Sequence, residues 1–269
     1  MSISIMQATI PSGRTGAVDL TPEEWAFHDR PELSHWWEVK HSLSELGAAS
    51  PHLLDRKAGH NLVQGGGGEA LPTIASSGGV SGAAYVQGRT ADPAGRFISE
   101  AGAAVIPASG DWSIWAVAKN GSSAQSVLAA VVGSDGGALR IALRSGDLIK
   151  VSHFNSAGVE QAAVVTTAAT TAAWHLVEVS YKRATNTIAV QIDGSAAVTG
   201  VMTGWSQVTS RLSFLTAHDL VDGRLGGADG RGVAVAAIGV AAVYAPDSAA
   251  YRTALKAMAS VLYPAITVA

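Results

Sequence analysis

Apolar and polar residues alternate along residues 174–193, and this alternation is the clearest structural signal in the chain. Val177 and Val179 fall on one face of an extended segment, whereas Glu178 falls on the other. A period of two residues is typical of a β-strand that has one face on a core and the other toward water. The polar residues 183–186 divide the region in two, which predicts an antiparallel hairpin.

The strand signal recurs about every ten residues from residue 111 onward. Turn sequences rich in Gly, Ser and Asp, such as residues 134–137, separate neighbouring segments. Many short strands at this spacing predict an all-β sandwich or barrel. The predicted strands lie near residues 112–119, 126–132, 138–144, 148–154, 159–166, 173–182, 187–193, 196–202, 211–216 and 232–244.

Two helices are predicted at the ends of the chain. Thr21 and Glu24 have the spacing of a capping box, which indicates a short helix that ends before Pro31. Apolar residues at helical spacing predict a second helix over residues 247–262, and Pro264 ends it. We expect this second helix to lie across the sandwich or against a neighbour and to do no chemistry.

Residues 1–32 are predicted to be an N-terminal arm, because they contain little strand pattern and are interrupted by Pro11 and Gly13. An arm of this kind needs a partner surface to become ordered, so we expect docking or oligomerisation through it. No linker divides the remaining chain. Residues 33–269 are therefore predicted to form one domain that includes the C-terminal helix.

The net charge of −3 provides no basic field that would attract nucleic acid or an anionic membrane. Only 14% of the residues are charged, which is a low fraction for a free monomer. Neighbouring subunits of a homo-oligomer would cover such a surface, although a compositional bias toward Ala and Gly explains it equally.

Cysteine is absent from the sequence, which excludes disulfides and thiol chemistry. No apolar run reaches the ~18 residues that a membrane helix needs, so we expect no membrane insertion. The N-terminus lacks the basic and apolar regions of a signal peptide, and we therefore expect synthesis in the cytoplasm without export by that route.

Carboxylates with the spacing of a glycosidase site are not found in the sequence. Glycoside hydrolysis uses two carboxylates about 5–10 Å apart, and neighbouring positions on one strand face would provide them. Glu160 and Glu178 are each isolated from other acidic residues along their strands. We therefore expect a protein that is not an enzyme.

A polar loop over residues 217–231 is the best candidate site. Asp219, Asp222 and Asp229 would offer oxygen ligands to Ca²⁺, which takes six to eight of them. Alternatively, the arginines of the loop pair with these acids, and its Gly and Asp residues are ordinary turn composition. No cofactor is otherwise indicated.

Trp205 lies close to this loop in the sequence and would form a sugar platform if it were exposed. Sugars stack their C–H faces on an aromatic ring while their hydroxyls bind polar groups. The alternative is that Trp205 plugs the end of the sandwich. The predicted ligand-binding set is Trp205, His218, Asp219, Asp222, Arg224 and Asp229.

Two further positions allow two interpretations. The pair Trp36-Trp37 would anchor packing by burying a large area, or it would stack on a sugar. His175 falls on the predicted core face of its strand, where we expect a buried hydrogen bond rather than a metal.

Four segments resemble the laminin-G-like and concanavalin A-like lectin and glucanase domains. Residues 112–119 are similar to the early aromatic strand of that family, and residues 174–181 to its W-H-x-V strand. Residues 190–194 resemble its Y-V-D-G strand, with Gln191 where an aromatic residue is usual. Residues 233–262 are similar to its closing strand and C-terminal helix.

Trp36-Trp37 and residues 55–62 resemble the W-W-D … D-R-S-G-N-G-N-D-L opening of bacterial and phage versions, so the resemblance covers residues 33–264. It implies a two-sheet antiparallel jelly-roll sandwich. It also implies a virion protein of a tailed phage or gene-transfer particle, such as a spike, fibre or adhesin. In that role residues 1–32 would dock on other virion proteins.

The leading hypothesis is therefore a non-enzymatic attachment protein, located on a virion, that binds a host cell-surface polysaccharide. A polysaccharide-degrading enzyme on the same fold is one alternative. A purely structural decoration protein without a ligand is the other.

Overall fold

The computed structural model describes residues 20–47, 51–65, 72–88, 96–100, 102–121, 126–133, 137–144, 148–166, 173–218, 224–229 and 232–269. For residues 65, 96, 133, 208–211, 216–218 and 224–229 it describes the backbone alone. The helices in these ranges are α1 (Pro22–His28), α2 (Val39–Leu46) and α3 (Ala249–Leu262). The strands are β1 (Leu33–Glu38), β2 (His52–Leu53), β3 (Leu62–Gly65), β4 (Thr73–Ala75), β5 (Tyr85–Gln87), β6 (Arg96–Ser99), β7 (Trp112–Asn120), β8 (Ser126–Gly133), β9 (Ala138–Arg144), β10 (Leu148–Phe154), β11 (Glu160–Val165), β12 (His175–Lys182), β13 (Thr187–Ile192), β14 (Val198–Val201), β15 (Gln207–Phe214), β16 (Thr216–His218), β17 (Arg224–Asp229) and β18 (Val233–Ala241).

Two antiparallel eight-stranded sheets form the body of the protein. Sheet A has the order β14-β13-β12-β7-β18-β5-β4, and β1 also pairs with β18. Sheet B has the order β11-β10-β9-β8-β15-β6-β3-β2. All ten predicted strands are present within a few residues of their predicted bounds, and the expected hairpin is β12 and β13. The prediction of a two-sheet antiparallel sandwich is confirmed.

The inner faces of the two sheets meet in one apolar core. Val177, Val179 and Tyr181 of β12 lie in this core, as the alternation predicted. From sheet B, Ile141 and Val151 pack against the same cluster. Burial of such side chains, at about 25 cal/mol per Å² of apolar surface, is the main force that holds the sheets together.

The outer face of sheet A is covered by helices rather than by water, which corrects the simplest interpretation of the alternation. Phe27 of α1 and Tyr251 of α3 are buried in a second apolar cluster with Trp36 and Trp115 of the sheet. Glu178, which was expected to face water, is only 6% exposed. Alternation separates the two faces of a strand, but it does not reveal what covers the second face.

The adjacent Trp36 and Trp37 point to opposite faces of β1. Trp36 belongs to the outer cluster and Trp37 to the inner core, and both are fully buried. The interpretation of this pair as a packing anchor is confirmed, and the sugar-stacking alternative is wrong, because neither ring is exposed. One dipeptide thus supplies a large side chain to each apolar layer.

Two histidine–aspartate pairs with the same geometry fasten strand ends. The Asp55 carboxylate accepts hydrogen bonds from His35 Nδ1 at 2.7 Å and from the next backbone N–H at 3.0 Å. The Asp193 carboxylate accepts from His175 Nδ1 at 2.7 Å and from the next backbone N–H at 2.8 Å. The buried hydrogen bond predicted for His175 is confirmed, and it ties the start of β12 to the turn after β13.

Helix α1 belongs to the folded body, although residues 1–32 were predicted to be an arm. The capping box between Thr21 and Glu24 is formed as predicted. Phe27 on the opposite side of the helix contacts the Trp36 and Trp115 rings at centroid distances of 5.6 and 5.5 Å. An apolar face of α1, within the predicted arm, is therefore buried against the body. Residues 1–19 lie outside the described residues.

Helix α3 lies across the outer face of sheet A, which is one of its two predicted placements. Tyr251, Leu255 and Met258 form its buried stripe. Lys256 Nζ donates to the Gly194 carbonyl oxygen at 3.3 Å and also to that of Ala269, which ties the C-terminus to the β12–β13 hairpin. Among the described residues, no helix combines the length and the apolar character needed to cross a membrane.

The close approach of Trp115 to the backbone of β18 predicts a sensitive glycine. A Cβ atom at Gly239 would lie 2.4 Å from Trp115 Nε1. We expect Gly239→Ala to lower the free energy of unfolding by about 1–3 kcal/mol, because overpacking displaces the indole. Gly47→Ala is the matched control, since its Cβ would meet nothing closer than 3.8 Å. Urea unfolding of both variants tests this, and equal effects would contradict the account.

Candidate functional site

The loop predicted to bind calcium and sugar contains two short strands, β16 and β17, which pair as a hairpin. Their register places His218 opposite Arg224, so the backbone brings two predicted site residues together. Asp229 lies at the end of β17. Only the backbone is described for both strands, and Asp219 and Asp222 lie outside the described residues. The calcium set of Asp219, Asp222 and Asp229 therefore stays a prediction.

Trp205 is not the exposed platform that the sequence suggested. Its side chain is 2% exposed and belongs to the inner core. Its ring packs edge-on against Tyr181 at 4.8 Å and against Trp112 at 6.4 Å. Gly204, at a φ of +74°, provides the turn that directs the chain back toward the core. The alternative, in which Trp205 plugs the end of the sandwich, is what the structure shows.

Burial divides the seven tryptophans into three groups. Trp25 is 37% exposed and Trp174 is half-buried. The other five are Trp36, Trp37, Trp112, Trp115 and Trp205, all of which are buried. A site that stacks a ligand on an indole must therefore use Trp25 or Trp174.

Trp174 and Tyr85 form a half-buried aromatic pair on the outer face of sheet A, which we call the aromatic platform. Their ring centroids are 5.7 Å apart and the planes meet at 73°. Trp174 directly precedes β12, and Tyr85 lies on β5, with β7 and β18 between them in the sheet. Strands β12 and β5 are separated by three strand spacings, about 14 Å. The two side chains therefore reach toward each other across β7 and β18.

Small side chains under the platform make this approach possible. The outer face of β18 carries Ala234 and Ala236 at this level, and Ala234 lies opposite both Lys119 and Gln87. The Tyr85 ring also packs closely on Gly79, where a Cβ atom would lie 2.9 Å from Cδ1. The glycine and the alanines thus fix the position of the two rings.

Two polar side chains flank the aromatic platform. The register places His175 opposite Ala118, which brings the preceding Trp174 level with Lys119. Gln87 lies on the other side of β18, and its Nε2 donates to the Gly232 carbonyl oxygen at 3.3 Å. The arrangement combines an apolar ring surface with a cation and an amide, which is the composition of a small-molecule site.

The sequence contained a signal for Trp174 that the prediction did not use. Trp174 has the same parity as Leu176 and Glu178, so the alternation already placed it on the outer face of β12. Tyr85 lies on β5. Their contact was not predictable, because it depends on the strand order β12-β7-β18-β5.

Trp25 has fewer polar groups available for a ligand. One face of its ring stacks on His28, with a centroid distance of 5.8 Å and an interplanar angle of 11°. His28 Nε2 bonds the Arg56 carbonyl oxygen at 3.0 Å, and Lys57 Nζ bonds the His28 carbonyl oxygen. Burial lowers the pKa of His28, so its ring is neutral at pH 7. The polar groups beside Trp25 are thus already used within the protein.

Glu24, Glu38 and His41 form a cluster with the composition of a metal site, since their ligand atoms lie within 4.8 Å of one another. The Arg56 guanidinium, however, bonds both carboxylates and stacks over Trp36 at 4.0 Å from the ring centroid. Lys40 Nζ adds a second cation, 3.1 Å from Glu38. Two carboxylates thus already face two cations, and a metal ion would have to displace Arg56. The cluster is a structural ion-pair network that joins α1, β1 and residue 56.

His41 and Tyr263 complete this network. Burial lowers the pKa of His41 to about 3, and the charges of Arg56 and Lys40 lower it as well. Tyr263 donates its hydroxyl proton to Glu38 at 3.2 Å, which connects the C-terminal segment to the same carboxylate. Burial raises the pKa of Tyr263, so the phenol remains protonated and keeps this hydrogen bond.

Glu178 is a buried carboxylate beneath α3. Burial raises its pKa to about 7, while the charges of Arg252 and Lys256 act to lower it. Its closest cation is Arg252 Nε at 3.9 Å, which is longer than a hydrogen bond. Gln191 lies directly opposite on β13. This environment stabilises the neutral acid and does not provide the second carboxylate that glycoside hydrolysis needs.

No protein-family model matches the chain, and no curated protein matches it. Solved structures share its architecture. The receptor-binding domain of botulinum neurotoxin type G superposes with a TM-score of 0.53 at 9% identity, over 86% of this chain and 51% of that one. The binding domain of serotype C1 gives 0.51 at 13% identity, over 89% and 53%.

A sialidase of Trypanosoma rangeli in complex with 2,3-difluorosialic acid gives a TM-score of 0.54 at 9% identity, over 98% of this chain and 37% of the sialidase. The chain has the jelly-roll sandwich fold. At these identities the similarity shows the fold alone. The chain spans about half the length of the toxin domains and just over a third of the sialidase.

The raised pKa of Glu178 predicts a pH-dependent stability. Between pH 4.5 and 7 the folded protein keeps this proton while the unfolded chain loses it. The stabilisation is therefore complete below pH 4.5 and is lost as the pH rises through 7, by up to about 3 kcal/mol. We expect Glu178→Gln to abolish this loss, as measured by urea unfolding at pH 5 and pH 8.

Glu160→Gln is the control, because Glu160 is exposed and paired with Lys150. It should leave the difference between the two pH values unchanged. The account is wrong if Glu178→Gln and the wild type lose the same free energy of unfolding between pH 5 and pH 8.

Proposed function

We propose that this protein is a non-enzymatic attachment protein of a phage or phage-like particle that binds a host-surface glycan. The observation that carries the proposal is the aromatic platform of Trp174 and Tyr85, flanked by Lys119 and Gln87. We place the glycan on the outer face of sheet A at this platform. The loop at residues 217–231 was the place predicted from the sequence.

The composition of the platform supports a sugar ligand. One face of a pyranose ring presents C–H groups, which pack on an aromatic ring, and its hydroxyls need hydrogen-bond partners at the edge. Trp174 offers the ring surface, Lys119 offers donors, and Gln87 offers an amide. The half-burial of Trp174 fixes the indole in place, so little side-chain entropy would be lost on binding.

The fold also supports recognition of a cell-surface partner. Two solved structures with this fold are receptor-binding or binding domains of botulinum neurotoxins, and another is a sialidase complexed with difluorosialic acid. The same architecture therefore occurs in binding domains and in an enzyme. A cation and an amide flank the platform, rather than the two carboxylates that most glycoside hydrolases use, and this composition favours binding over that kind of hydrolysis.

The particle assignment rests on the resemblance to virion jelly rolls and on the N-terminal segment. We propose that the part of residues 1–32 that precedes α1 contacts other virion proteins, with α1 fixing the exit point of the chain on the body. The low fraction of charged residues, 14%, supports display as a homo-oligomer with covered surfaces. A decoration protein without a ligand remains the alternative if no glycan binds.

Substitution of the platform tryptophan tests the proposed function. We expect purified protein to bind at least one bacterial surface polysaccharide in calorimetric titrations, and Trp174→Ala to weaken this binding at least tenfold, about 1.4 kcal/mol. Trp25→Ala is the matched control and should bind as the wild type does, because its neighbours are already hydrogen-bonded.

The same samples distinguish the alternatives. Release of reducing ends or unsaturated sugars would show a polysaccharide-degrading enzyme instead. Binding that Trp174→Ala leaves intact would move the site elsewhere, and absence of binding to any surface polysaccharide would favour the decoration protein.

A further inference from the structure

Lys119 is the cation that lies level with Trp174 at the aromatic platform. It is half-buried on the outer face of β7, opposite Ala234. No ion pair of Lys119 occurs among the residues whose side chains the structure describes. Four cations elsewhere have carboxylate partners: Arg30 pairs with Glu32, Arg56 with Glu24 and Glu38, Lys150 with Glu160, and Lys182 with Asp247.

The row of residues beside Lys119 carries no other charge. Across the outer face, Lys119 is followed by Ala234, Gln87 and Thr73, which lie opposite one another in register. Aspartate and glutamate are absent from this row, so no carboxylate of the row neutralises the ammonium group. The adjacent Trp174 excludes part of the water that would otherwise screen this charge.

We infer that the glycan bound at the aromatic platform carries a carboxylate, and that Lys119 Nζ receives it. This inference rests on the proposed function and names the class of sugar as acidic, either a uronate or a sialate. In both, the carboxylate is bonded directly to a carbon of the pyranose ring. When that ring stacks on Trp174, the carboxylate lies at the edge of the stack, level with Lys119.

A neutral sugar would leave this cation without a partner at the site. A charge-assisted hydrogen bond from an ammonium to a carboxylate is about twice as strong as a neutral one. Gln87 lies on the opposite side of Ala234, and its side-chain amide suits the hydroxyls of the same ring. The preference for acidic over neutral sugars is therefore set by Lys119, and the stacking is set by Trp174.

Matched pairs of acidic and neutral ligands test the inference. Oligomers of galacturonate are compared with the same oligomers after methyl esterification, and sialyllactose is compared with lactose, each by calorimetric titration. We expect the wild type to bind one acidic ligand at least tenfold more tightly than its neutral partner. The first pair identifies a uronate and the second a sialate. Raising the salt concentration from 50 to 500 mM should weaken binding of the acidic ligand and leave the neutral one unchanged.

Lys119→Gln should reduce the ratio of acidic to neutral affinity to about one, because it removes the charge that distinguishes the two ligands. Lys150→Gln, which removes the same charge from a paired lysine on sheet B, should keep the wild-type ratio. An unchanged ratio in Lys119→Gln overturns the inference. Equal binding of acidic and neutral ligands by the wild type also overturns the inference. If Trp174→Ala abolishes that equal binding, the proposed glycan site still holds. Absence of binding to all four ligands overturns the acidic assignment, and the survey of surface polysaccharides then decides the proposed function.

Discussion

The structure depends on the need to cover both apolar faces of sheet A. Trp36 and Trp37 show this need within one dipeptide, because one ring packs into the core between the sheets and the other packs under the helices. Sheet B covers the inner face, and α1 and α3 cover the outer face at the level of Trp115. The helices leave Trp174 and Tyr85 half-buried on that outer face. The candidate site is thus the part of an apolar layer that the protein itself does not fully cover.

Several polar groups in the covered layer are paired, and the pairs connect distant parts of the chain. Arg56 joins the carboxylates of Glu24 and Glu38, which lie on different elements. The two histidine–aspartate pairs fasten β1 and β12 at their ends. Glu178 is different, because its nearest cation, Arg252, lies beyond hydrogen-bond distance at 3.9 Å and burial raises its pKa to about 7. Buried ion pairs position elements, whereas a buried carboxylate without a close ion-pair contact makes their stability depend on pH.

The sequence was sufficient to predict the strands, because period-two alternation and turn residues are local properties. It predicted the fold class and both terminal helices for the same reason. It did not predict that Glu178 is covered, and it left open whether Trp205 is exposed or buried, because burial depends on which elements pack together. The platform itself requires the order of four strands, which alternation does not contain. The one part of the site that the sequence indicated was the position of Trp174 on the outer face of sheet A, which follows from the alternation along β12.

The central claim is that a glycan stacks on Trp174 at the outer face of sheet A. The most direct measurement is the set of indole N–H signals in a ¹⁵N–¹H spectrum, one for each of the seven tryptophans, recorded during titration with a bound polysaccharide fragment. The account predicts that the Trp174 signal moves while the Trp205 and Trp112 signals, which lie in the core, stay in place. A titration that moves the Trp25 or Trp205 signal and leaves that of Trp174 unchanged would contradict it.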